Sequence, residues 1–148
     1  LGGCLGRMNV HGNVRVAGDG KAALGMLVFD GTSAPAGFVA ENPDLVAKFL
    51  AVTAEANAMW NSGEHTDEML PVIAQDAGMD VDATAETLAT FVFPSIEEQL
   101  SEAWLGGAAP AFMKGVADVF VESGSIDSAL DSYADSVNIG PLQAAADM

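Results

Sequence analysis

Two histidines, one cysteine, one hydroxyl beside an acid and a pair of closely spaced aspartates are the side chains best equipped for chemistry in this 148-residue sequence. His11 and His65 are far apart, each among glycines or polar residues, and no H-E-x-x-H, G-x-S-x-G, P-loop or G-x-G-x-x-G spacing occurs. Hydrolysis or phosphoryl transfer built on those frames therefore has no nucleophile, base and orienter to work with. Ser33 lies near Asp30, but a triad needs a histidine to carry the proton between them. Asp80 and Asp82 lack the glycine and the closing glutamate of an EF-hand loop, and read as the entry to a helix. Glu97, Glu98 and Glu102 read as helix-start acids on a solvated face. Cys4 stands alone, which excludes an intramolecular disulfide and a multi-cysteine zinc site within this chain. Leu1-Gly2-Gly3-Cys4 has the outline of a lipoprotein cleavage box, but that box has meaning only behind an apolar signal stretch. The expectation is no catalysis, no metal and no cofactor.

One segment stands apart: Val28-Phe29-Asp30-Gly31-Thr32-Ser33-Ala34-Pro35. An acid at the end of an apolar strand, followed by small polar residues, sits where open α/β sheets bind ligands. The same residues also suit a turn that Asp30 caps through Gly31. Composition leaves both readings open.

The elements that must hold this segment divide at Pro35. Before it, glycines at 12, 18, 20, 25 and 31 punctuate two short apolar stretches, Asn13-Val14-Arg15-Val16 and Met26-Leu27-Val28-Phe29. The first alternates and the second is continuously apolar, as a strand covered on both faces must be. After Pro35 the spacing predicts helices. Asn42-Pro43-Asp44 supplies an N-cap, a proline at the first helical position and a first-turn acid, followed by Leu45, Val46, Phe49, Leu50, Thr53, Ala56, Met59 and Trp60 at helical spacing. Further helices are predicted over Thr66–Ala77 before Gly78, with Pro71 near the first turn, and from Asp82 to about Val92. Another runs from the capping box Ser95–Glu98 to Gly106-Gly107, and one from Pro110 to Gly124 with Phe112, Met113, Val116 and Phe120 on one face. The last carries Ile126, Leu130, Tyr133 and Val137 and ends before Gly140-Pro141. Two short strands do not make an independent sheet, so the pattern reads as the second half of a larger α/β protein.

Charge narrows the partners. Half of the residues are hydrophobic and the net charge is −16. Residues 1–48 balance four bases against four acids, whereas residues 49–148 carry 17 acids and one base, Lys114. Such a field repels nucleic acid, which needs basic surface to replace its counterions. No apolar run reaches the ~18 residues that span a bilayer.

The residues Gly2-Gly3-Cys4-Leu5-Gly6-Arg7-Met8, Gly12-Asn13-Val14, Val28-Phe29-Asp30 and Phe38-Val39-Ala40-Glu41-Asn42-Pro43-Asp44-Leu45-Val46 then take on meaning together. With Gly124-Ser125-Ile126-Asp127-Ser128-Ala129-Leu130-Asp131-Ser132-Tyr133, this series resembles the taurine-binding branch of ABC-transporter substrate-binding proteins, of the periplasmic binding protein type II fold. The resemblance covers almost the whole chain in order. Members are considerably longer, so it implies the C-terminal part of a two-lobed α/β fold, mostly helical with two or so short strands. Residues 1–25 would end the second lobe, 26–35 would form the hinge-crossing strand, and 36–148 would be the helical part packing on the first lobe. The implied function is to capture taurine or a related sulfonate between the lobes, in the periplasm, as a monomer, and to deliver it to an ABC permease in the membrane. No cofactor or metal is implied.

Within that resemblance Asp30 falls at the cleft, where a carboxylate would pair with the ammonium of taurine, since an unpaired buried charge is costly. Gly2 and Gly3 fall on a cleft-facing turn where absent side chains let backbone approach the ligand. The aromatic residue that the family carries just before this turn has no counterpart here. Other solutes bound by the same fold, namely an alkanesulfonate, nitrate or a thiamine-pyrimidine precursor, are the nearest alternatives; Asp30 favours a ligand with an amine. A thiamine-pyrimidine synthase-like enzyme would need a cysteine cluster that one cysteine does not supply. A free-standing acidic helical module would leave the two apolar strands without partners.

Overall fold

The computed structural model describes residues 31–148, and among them the chain is mostly helical and contains no strand. The two predicted strands, 13–16 and 26–29, lie outside the described residues. The helices are α1 (Ala36–Glu41), α2 (Pro43–Ser62), α3 (Thr66–Ala77), α4 (Val81–Leu88), α5 (Ile96–Leu100), α6 (Ala108–Glu122) and α7 (Gly140–Ala146), with a 3-10 turn at Ala134–Ser136. They divide between two compact units. One holds residues 57–93; the other holds 31–56 and 94–148.

In the unit of residues 57–93, the end of α2 turns at Gly63, whose φ of 74° lies in the left-handed region that suits glycine. Trp60 packs edge-on against Phe93 with ring centroids 6.3 Å apart, and Phe91 packs edge-on against Phe93 at 6.2 Å. The Asn61 side chain fixes this arrangement by donating to the Phe93 carbonyl at 2.7 Å. α3 ends at the glycine that the sequence places there. Gly78 has φ 63°, its N–H meets the Gln75 carbonyl, and the Met79 N–H reaches back to Ala74, the paired bonds of a Schellman motif. Pro71 lies deeper in α3 than the first turn, at the sixth helical residue, and removes one ladder donor there. α4 packs on α3 over buried Ala74 and Thr84. The Thr84 hydroxyl donates to the Asp80 carbonyl at 2.8 Å, so its burial leaves no donor unmet. α4 stops at Leu88, short of the predicted Val92.

In the second unit, Asn42 departs from the expected role. Residues 36–41 also fold as a helix, and the orphan carbonyl of Phe38 takes both the backbone N–H and the side-chain amide of Asn42, each at 3.0 Å. Asn42 therefore caps the end of α1, while its own carbonyl begins the α2 ladder through Val46 N–H. Ser95 and Glu98 form the predicted capping box, with Ser95 Oγ accepting from Glu98 N–H at 3.2 Å and Glu98 Oε2 accepting from Ser95 N–H at 2.8 Å. α5 nevertheless ends at Leu100, not Gly106. The chain folds back so that Gly106 N–H reaches the Ser101 carbonyl at 2.9 Å. A Cβ on Gly106 would sit 2.8 Å from that oxygen and 2.9 Å from the Leu100 oxygen, so only glycine permits the approach.

α6 begins at Ala108, and Pro110 falls inside its first turn. Its end is another Schellman pair, Gly124 N–H to Val121 and Ser125 N–H to Phe120. The helix expected over 126–137 does not form. Ile126 and Leu130 are exposed, and Ser132 Oγ accepts from the Ala134 N–H. Ser125, Asp127, Ser128, Asp131 and Ser132 offer the backbone such local alternatives to a helix. Gly140-Pro141 starts α7 instead of merely ending a helix, and α7 packs on α5 with Leu142 and Ala145 buried. The buried positions of this unit are mainly alanines, Ala47, Ala109, Ala117 and Ala145.

Candidate functional site

The residues that the resemblance assigns to the ligand, Asp30, Gly2 and Gly3, lie outside the described residues, as do Cys4 and His11. The described residues begin one position after Asp30. Gly31 to Pro35 run without regular structure, all exposed, and Pro35 leads into α1 with φ −59° and ψ 135°.

Next along the chain is an open cleft of about 760 Å³ in the second unit, between residues 34–43 and 135–141. Ala34, Val39 and Pro43 form one side, and Asp135, Asn138 and Pro141 the other. The Asp135 carboxylate is exposed in the 3-10 turn, and the Asn138 side-chain oxygen is occupied by the Gly140 N–H at 3.0 Å. This arrangement offers apolar contact and one exposed carboxylate. Sequence reasoning missed Asp135, since Ser-Tyr-Ala-Asp-Ser reads as part of a helix. No periodic signal separates a 3-10 turn from an α-helical one over three residues.

The other candidates take ordinary structural positions. Asp80 is the N-cap of α4, accepting from Ala83 N–H at 2.8 Å, and Asp82 is a first-turn acid. His65 precedes α3, with Nδ1 3.8 Å from Glu68 Oε2, both side chains well exposed. Glu98 is committed to the capping box. Ser33 is exposed. Trp60 belongs to the aromatic cluster with Phe93, while Met59 is 37% exposed. No group of three or more metal-ligating side chains converges among the described residues, and no described helix is long and apolar enough to cross a membrane.

Neither a protein-family model, nor a curated protein, nor a solved structure matches this chain.

Proposed function

We propose that this chain is the C-terminal part of a two-lobed solute-binding protein of an ABC importer, which captures taurine or a related sulfonate and presents it to a membrane permease. The observation that carries the proposal is the order of the segments that resemble that family, from Gly2-Gly3 through Val28-Phe29-Asp30 and Asn42-Pro43-Asp44 to Gly124–Tyr133. The helices that follow Pro35 are compatible with it, since the proposal needs a helical half behind the crossing strand.

In this proposal the Asp30 carboxylate pairs with the ligand's ammonium. Backbone N–H groups, hydroxyls or an arginine elsewhere in the protein receive the sulfonate. Ligand binding selects the closed arrangement of the lobes, and that form docks on the permease in the periplasm. The chemistry is recognition only, without covalent change to the solute.

The test is calorimetric titration of the protein expressed from its whole reading frame. Saturable one-to-one binding of taurine is expected. Binding of nitrate or ethanesulfonate in preference to taurine would move the proposal to another solute of the same fold. No heat with any of the three would overturn it.

A further inference from the structure

α2 is apolar on two opposite faces, and only one of them is covered among the described residues. Ala47, Leu50, Ala51 and Ala54 recur at i, i+3, i+4 and i+7, and each is buried or half-buried. Half a turn around, Leu45, Phe49, Val52 and Ala56 recur at spacings of four, three and four, and all four are exposed. Leu45 and Phe49 are each 56% exposed and Val52 is 66% exposed. Alternating spacings of three and four make the seam that one helix offers to another in a coiled coil.

Charge identifies the occupant. Lys48 and Glu55 flank this seam on the same edge, both exposed, and neither belongs to an ion pair among the described residues. We propose that α2 pairs antiparallel with α2 of a second copy. In the register that sets Phe49 against Val52 of the second copy and Leu45 against Ala56, each Lys48 faces Glu55 of the other copy. The symmetry creates two such pairs at once. A parallel pair would set Lys48 against Thr53 and leave both charges unanswered. The other described residues offer no comparable edge, because their one further Lys or Arg, Lys114, is already taken by Asp118 at 2.6 Å.

The contact is small. Three large side chains per copy, half to two-thirds exposed, remove roughly 600–800 Å² from water in total, below the ~1,200 Å² of a standard stable interface. Association is therefore reversible, with a Kd on the order of 10–1,000 μM. Such a pair forms at high local concentration and leaves the dilute protein monomeric.

Sedimentation equilibrium of the intact chain from about 5 μM to about 1.5 mM tests this, a range that brackets the expected Kd. Far-UV circular dichroism confirms that each variant stays helical. The expected result is a monomer–dimer equilibrium that Lys48→Glu and Glu55→Lys each weaken by about tenfold or more. An equimolar mixture of the two variants should recover a heterodimer, since every charge then meets its opposite. A wild-type chain that stays monomeric throughout the range would overturn the proposal, as would a dimer that Lys48→Glu leaves unchanged. Failure of the mixed variants to associate would overturn it as well.

Discussion

Lys48 and Glu55 lie on one edge of α2, two turns apart, and neither has an ion-pair partner among the described residues. Lys114 and Asp118, four residues apart on α6, pair at 2.6 Å. The difference is helical geometry: an i, i+4 pair faces itself, whereas residues seven apart are separated by about 10 Å along the axis. Among the described residues the α2 charges are therefore unpaired, whereas the α6 charges are satisfied locally.

Lys114→Ala should cost little. The pair is solvent-accessible, with side chains 35% and 53% exposed, so screening limits it to about 0.3–0.5 kcal/mol. Urea denaturation should show a midpoint shift near the limit of detection. A loss above about 2 kcal/mol would mean that Lys114 packs as well as pairs.

Asp80→Ala should destabilise by about 1 kcal/mol, because it strips the side-chain cap from Ala83 N–H. Asp82→Ala, in the first turn of the same helix, should cost only a few tenths of a kcal/mol through the helix dipole. Equal losses in urea denaturation would show that the first acid does no more than add charge.

Two glycines should answer oppositely to the same substitution. Gly106→Ala forces a Cβ to within 2.8 Å of a backbone oxygen and should cost about 1–3 kcal/mol. Gly115 sits within α6, and a Cβ there would meet nothing within 4 Å, so Gly115→Ala should stabilise by roughly 0.5–1 kcal/mol. Thermal unfolding of both variants, monitored by circular dichroism, provides the comparison.

Local chemistry was legible in the sequence wherever it acts within a few residues. Gly78 ending α3, the Ser95–Glu98 capping box and Pro43 at the start of α2 all stand where residue types alone place them. Contacts across a longer loop were not. Nothing in Ser101–Gly107 announces that Gly106 will meet Ser101 and halt α5 at Leu100. Apolar spacing at Ile126, Leu130, Tyr133 and Val137 suggested a helix, but the serines and aspartates between them compete for the backbone and the helix is absent. Gly140-Pro141 was ambiguous by nature, since a proline that ends one helix also suits the first turn of another. The opposed apolar faces of α2 were both present in the sequence, and burial distinguishes the inner stripe from the outer. Gly2 and Gly3 rest on the resemblance alone, and Asp30 on the resemblance together with its place at the end of an apolar stretch.

Asp30 therefore carries the most direct test of solute binding. Asp30→Asn in the protein from the whole reading frame keeps the side chain's shape and removes its charge. Titration calorimetry should show taurine affinity falling by about 30-fold or more, the cost of leaving a buried ammonium without its partner, roughly 2–5 kcal/mol. Ethanesulfonate, which lacks the amine, should lose far less. Taurine affinity that changes by less than about twofold would contradict the assignment of Asp30 to the ligand, and equal losses for the two ligands would show that Asp30 shapes the turn instead.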